Sequence, residues 1–154
     1  MLSLCGLLLA SLCSFGSAPG GCPVDASKLV VLPPGDQVTW RQGLSISEYP
    51  LAQSDIEAAE CLLLPQVEAW NKEMAEGGSG DQIEPSDYFR QYCVMRDGEG
   101  HRVVFLNAFC PQAATKAQWK QNWVEVDDGG SCYFQSLIDL TTGRVVEFNV
   151  NGEA

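Results

Sequence analysis

Hydrophobic and polar positions along this chain follow two different periods. From Ser131 to Leu140 they alternate, with Phe134, Ile138 and Leu140 on one side and Tyr133, Gln135 and Asp139 on the other. Thr142-Gly143 marks a turn, and Arg144 to Val150 alternates again with Val146, Phe148 and Val150 in phase. Period-two patterning around a glycine-containing turn predicts a half-buried antiparallel hairpin. Asp128-Gly129-Gly130 separates it from what precedes. Tyr88–Arg96 and His101–Cys110 predict two further strands around the Asp97-Gly98-Glu99-Gly100 turn. After a longer connection, Pro111 to Ala117, the segment Trp119–Val126 predicts a third.

The other period is helical. Ile56, Ala59, Leu63, Val67 and Trp70 form an apolar stripe at the spacing of one helix face, with Leu62 and Met74 beside it. Ser54 and Glu57 stand three apart, as in a capping box, and Asp55 adds negative charge to the first turn. Pro65 lies within the run, removing a backbone donor and crowding the preceding turn, which predicts a kink or two abutting helices. Gly77-Gly78-Ser79-Gly80 ends the element.

A helix followed by a meander implies an α+β domain, with the helix lying across an antiparallel sheet of four to five strands. Three regions are expected: a leader at 1–21, an extension of short strands or coil at 22–53, and the α+β domain at 54–154. Within the extension, Leu29–Leu32 and Val38–Trp40 each suit a short edge strand, and Pro33-Pro34-Gly35 breaks the chain between them.

Met1 to Leu12 is apolar and uncharged, and small residues (Gly16, Ser17, Ala18) follow it. The stretch is shorter than the roughly 18–20 residues of a membrane-spanning helix and fits the apolar region of a secretory signal peptide. It departs from the pattern in one respect: no Lys or Arg precedes Lys28. Export is the expectation, placing the protein outside the cell, in a periplasm or at an outer membrane. The formal net charge is −11 over 154 residues, all of it beyond the leader. So acidic a surface repels phosphate backbones and argues against nucleic-acid partners, while suiting a basic protein partner.

Of seven cysteines, Cys5 and Cys13 fall in the leader, and Cys22, Cys61, Cys93, Cys110 and Cys132 remain. In an oxidising compartment four of the five would pair. Cys110 closes one strand and Cys132 opens the tail hairpin, so both belong at one end of neighbouring strands. Cys61 on the helix and Cys93 in mid-strand would then bolt helix to sheet. The preferred set is Cys110–Cys132 with Cys61–Cys93, each worth about 2–4 kcal/mol. Cys22 is left over. Standing after Pro19-Gly20-Gly21, it matches a lipoprotein cleavage site except for Pro19, where such sites favour leucine; a lipid anchor at Cys22 is therefore a reading beside free secretion, and the only expected link to a membrane.

No catalytic set stands out. His101 is the only histidine and falls beside a turn, no cysteine pair has CxxC spacing, and zinc and redox motifs find no support. Ser79 sits among glycines after a helix instead of a strand, unlike a nucleophile elbow. Asp97, Glu99, Asp127 and Asp128 lie in turns and lack the spacing of a calcium loop. Neither a dinucleotide nor a phosphate loop is present, so no cofactor is expected. Aromatics crowd the C-terminal half. Most read as sheet core, and Trp119 and Trp123 are the pair offered as a partner-binding face.

Val126-Asp127-Asp128-Gly129-Gly130, Cys132-Tyr133-Phe134, Thr142-Gly143 and Val150-Asn151-Gly152-Glu153-Ala154 together resemble the C-termini of an uncharacterised group of small exported bacterial proteins. Asp139 to Val145 is similar to the Asp-x-x-Thr-Gly-x-Val hairpin of PepSY-type domains, and the helix-on-meander layout resembles cystatin-like folds. Such domains often act as non-catalytic inhibitors or binding modules. The resemblance covers about a fifth of the chain. Gln121-Asn122-Trp123-Val124-Glu125 departs from the cystatin inhibitory loop, which argues against cysteine-protease inhibition. The expected function is a small, exported, disulfide-stapled binding or inhibitory module without catalysis; the alternative is an envelope lipoprotein with a structural role, and an enzyme of unrecognised type comes third.

Overall fold

The computed structural model describes residues 22, 24–34, 44–46, 50–114 and 118–152. The leader and Val38–Trp40 lie outside them. The chain is α+β, one long helix packed on a mixed sheet. Strands β1 (Leu29–Val31) and β2 (Ser45–Ile46) precede helix α1 (Gln53–Glu76), and β3 (Phe89–Arg96), β4 (Arg102–Phe109), β5 (Tyr133–Asp139) and β6 (Arg144–Val150) follow it. β3 to β6 form an antiparallel meander. β1 joins the outer edge of β3 in parallel and β2 joins it antiparallel further along, so the N-terminal segment covers that edge. An edge so covered offers fewer unpaired backbone groups for intermolecular pairing.

Alternation decides what each strand shows to each side. The helix side carries Tyr92, Val104, Leu106, Ala108, Phe134 and Ile138, which form one buried core with Ile56, Ala59, Leu63 and Val67 of α1. The hairpin differs from its predicted phase at one point. A register shift opposite Leu137/Ile138 pairs Leu137 with Glu147 but Ile138 with Val145, so the intervening Val146 is bulged out. Val146 is 60% exposed while Val145 packs on the core. Gly143, at φ 67°, supplies the left-handed turn residue of this hairpin.

Helix α1 starts one residue before Ser54 and is not capped by it. Asp55 accepts from the backbone N–H of Ala52 at 2.9 Å, the half of a capping box that an acid at the third position can make. Glu57 instead accepts from the Gln53 amide. Pro65 does not split the element: α1 runs as one helix of 24 residues. Pro65 is exposed, and the only intrahelical bond its ring removes is the one to the Cys61 carbonyl. Beyond the glycine turn, Asn71 receives the Ile83 N–H at 2.8 Å and donates to the Ile83 carbonyl at 2.9 Å, which holds the returning chain against the helix as a strand would.

Trp119–Val126 is not a strand. The far face of the sheet carries a row of amides, the buried Gln91 and Asn107 and the partly buried Gln135, aligned by register across β3, β4 and β5. Gln91 donates to the carbonyls of Trp119 (2.6 Å) and Asn122 (2.7 Å) and accepts from Val124 N–H (2.9 Å); Asn107 donates to Val124 O (2.9 Å). Irregular backbone can lie on a sheet only if its polar groups find partners, and these side chains are those partners. Gly129 completes the segment. A Cβ there would lie 2.5 Å from the Tyr133 ring, at a φ of +154° that side chains disfavour.

Candidate functional site

Two disulfides are formed, Cys22–Cys61 and Cys110–Cys132, and Cys93 is free and buried. The Cys110–Cys132 bridge matches the pairing expected from strand ends. Cys61–Cys93 is corrected: Cys93 lies opposite Phe105, and its side chain packs with Met95, Val103, Phe105 and Leu137 on the face turned away from α1. Residues one position either side, Tyr92 and Val94, point the other way. Cys22, the residue expected to carry a lipid anchor, has its sulfur bonded to Cys61. Burial pushes the Cys93 thiol up to about 12, leaving it protonated and inert at neutral pH.

The aromatic pair also changes role. Trp119 is only 9% exposed, wedged with its ring 5.0 Å from Phe89 and 6.1 Å from Phe109. Trp123 is half-buried, lies 5.6 Å from the Phe105 ring and donates its indole N–H to the Pro33 carbonyl at 2.9 Å. Trp119 is thus core, and Trp123 fixes the N-terminal segment to the sheet. Ser79 is occupied with Asp81 in a local turn.

What tertiary structure assembles instead is a charged cluster under a cleft. Glu60 and Arg90 are 4% and 5% exposed. Arg90 Nε donates to Glu60 Oε1 at 2.7 Å, and the Tyr92 hydroxyl donates to the same oxygen at 2.5 Å. The two terminal nitrogens of Arg90 donate to the carbonyls of Tyr88 (2.7 Å) and Pro85 (2.6 Å). Burial, reinforced by the adjacent Glu60 charge, raises the Tyr92 phenol far above its ordinary value, so it remains a donor. Every nitrogen of the guanidinium is matched, as a buried cation requires.

Above this cluster a cleft of about 470 Å³ opens between the N-terminal segment, α1 and the turn at 84–86. Val24, Leu64 and Pro85 give it apolar walls, Asp25 and Glu84 stand at its rim, and Glu60 and Arg90 reach its floor. The Cys22–Cys61 bridge ties the N-terminal wall to the helix. Asp25 accepts from the hydroxyl and N–H of Ser27, hydrogen bonds that hold its carboxyl below the usual range. Glu84 accepts from the hydroxyl and N–H of Ser86, at 3.1 and 3.5 Å.

Sequence reasoning passed over Glu60 and Arg90. A signal existed: Glu60 falls in the apolar stripe between Ile56 and Leu63, and Arg90 alternates in phase with Tyr92 and Val94. A charge at a core position in each of two elements suggests that they meet. No family model matches the chain, and no curated protein or solved structure is significantly similar to it.

Proposed function

We propose that this protein is an exported, non-catalytic binding module whose cleft receives a basic side chain of a protein partner. The charge of the cleft carries the reading: Glu60 and Arg90 on its floor match each other, and the rim adds two carboxylates, Asp25 and Glu84, against the ammonium of Lys28, which donates to the Ser86 carbonyl. Apolar walls suit the methylene stem of a lysine or arginine while the rim acids meet its head. The cleft volume lies within the ~300–1,000 Å³ range of ligand sites. Export is supported by the apolar leader and by two disulfides, which persist in oxidising compartments. Among the described residues no helix is long and apolar enough to cross a membrane.

Titration of the full chain with short lysine- and arginine-containing peptides, followed by amide NMR shifts, tests this. Shifts should centre on Val24, Leu64 and Ser86 and weaken with added salt. The double variant Asp25→Asn/Glu84→Gln should lose them. Equal binding of the same peptides with every lysine and arginine replaced by glutamine would overturn the reading.

A further inference from the structure

His101 sits where two turns of the sheet meet. Asp97 opens the β3–β4 turn and His101 closes it; Asp139 ends β5 and opens the next turn, opposite Val103 in the neighbouring strand. Asp97 and His101 flank one turn and Asp139 is distant in the sequence, yet His101 Nδ1 lies 3.3 Å from Asp97 Oδ2 and 3.2 Å from Asp139 Oδ2. All three atoms fall within 4.8 Å of one another.

Those separations are longer than the roughly 2.7–2.9 Å of a charge-assisted N–H···O bond. They approach the edge of a coordination tetrahedron, about 3.3 Å for bonds of about 2.0 Å. One ring nitrogen has a single proton to offer, while two carboxylates face it. A divalent ion held by all three would balance both charges.

The remaining oxygens are placed as a ligand set needs. Asp97 Oδ1 accepts from the N–H groups of Glu99 and His101, both at 2.9 Å, leaving Oδ2 toward the imidazole. Asp139 Oδ1 accepts from Thr141 N–H (2.8 Å) and Thr142 N–H (3.0 Å), and the Thr142 hydroxyl donates to Oδ2 at 2.6 Å. Behind the ring, Glu99 Oε2 lies 3.7 Å from Nε2, adding a further negative charge beside the imidazole. The Asp139 side chain is 6% exposed and those of His101 and Asp97 27% and 29%, so the site is sheltered but open to solvent on one side.

We infer that Asp97, His101 and Asp139 bind one divalent transition-metal ion of the zinc type, with water completing its shell, and that the ion clasps the β3–β4 and β5–β6 turns together. A mixed imidazole and carboxylate set favours zinc-like ions over magnesium and calcium, which take oxygen ligands. The inference is independent of the cleft.

Zinc chloride titrated into the metal-stripped full chain, read by calorimetry and by the ring signals of His101, provides the test. As the only histidine, its imidazole is assigned without variants. The expected result is one ion per chain at micromolar affinity, saturable ring-signal shifts, and no competition from millimolar magnesium. His101→Ala and Asp97→Asn, the latter keeping the turn acceptor, should each weaken binding by about tenfold or more. Ring signals that stay unmoved at millimolar zinc, or binding that is unchanged in both folded variants, would overturn the site.

Discussion

Glu60 and Arg90 make the sharpest energetic prediction, because each is buried and each is the other's counter-charge. Glu60→Leu leaves the Arg90 guanidinium inside the domain with two carbonyl acceptors, Tyr88 and Pro85, and no carboxylate. Stranding one member of a buried pair costs about 3–5 kcal/mol. A domain of this size has only about 5–15 kcal/mol in total. Arg90→Met should cost a similar amount by stranding the carboxylate. In Glu60→Leu/Arg90→Met neither charge remains to be compensated, and apolar side chains fill a similar volume. Only the two carbonyls and the Tyr92 hydroxyl then lose partners, so the double variant should be more stable than either single one. Urea unfolding at neutral pH, with disulfides intact and tryptophan fluorescence as the probe, gives each value by linear extrapolation. If the single costs simply add in the double variant, or if each falls below about 1 kcal/mol, the pair is not the buried, mutually compensating unit described above.

Cys93 should resist iodoacetamide in the folded protein at pH 8 and label fully in denaturant, since its thiol is raised to about 12 and is 1% exposed; rapid native labelling would contradict its burial. Asp55 is held below its ordinary value chiefly by hydrogen bonds from Arg102, which meets it at 2.6 and 3.1 Å. A lowered folded value means that its contribution is fully present above the unfolded carboxylate range, near about 3.9, and is lost as pH falls through the folded value. Asp55→Asn should therefore flatten the fall of stability in acid, measured by urea midpoints between pH 6 and 2. Removing the Cys22–Cys61 bridge by Cys22→Ala/Cys61→Ala releases a closed loop with a sequence separation of 39; the chain-entropy relation gives about 4 kcal/mol, to be read as a lowered thermal midpoint. Gly129→Ala drives a methyl into the Tyr133 ring and should destabilise by about 1–3 kcal/mol, whereas Gly98→Ala, with open space at its Cβ, serves as the neutral control in the same melt.

Much of the local chemistry was legible where it depended on near neighbours, although Ser54 does not cap the helix and Pro65 does not break it. The helix stripe, the three turns rich in Asp and Gly, the β3–β4 and β5–β6 hairpins and the α+β class all follow from periods of 3.6 and 2 and from residues that accept turn geometry. The Cys110–Cys132 bridge was legible for the same reason, since hairpin order places strand ends together. Three expectations failed, two because a distant partner outweighed the local pattern and one, Cys93, because alternation along its own strand was overlooked. Trp119–Val126 has the composition of a strand, but Gln91 and Asn107 satisfy its backbone from below and leave it irregular. Val146 keeps the alternation of its strand, but the bulge opposite Leu137/Ile138 turns it outward. Cys93 shares a strand with residues that touch α1, and strand parity alone points it away from Cys61.

The sequence by itself determined the long helix, the two hairpins and which compartment chemistry the cysteines suit, because those depend on spacing along the chain. Only the tertiary structure decided which charges share a burial site and which turns become neighbours. Glu60 meets Arg90 across 30 residues and His101 meets Asp139 across 38, distances over which no local rule operates. Both meetings are set by the order in which strands pair and by the face that the helix covers.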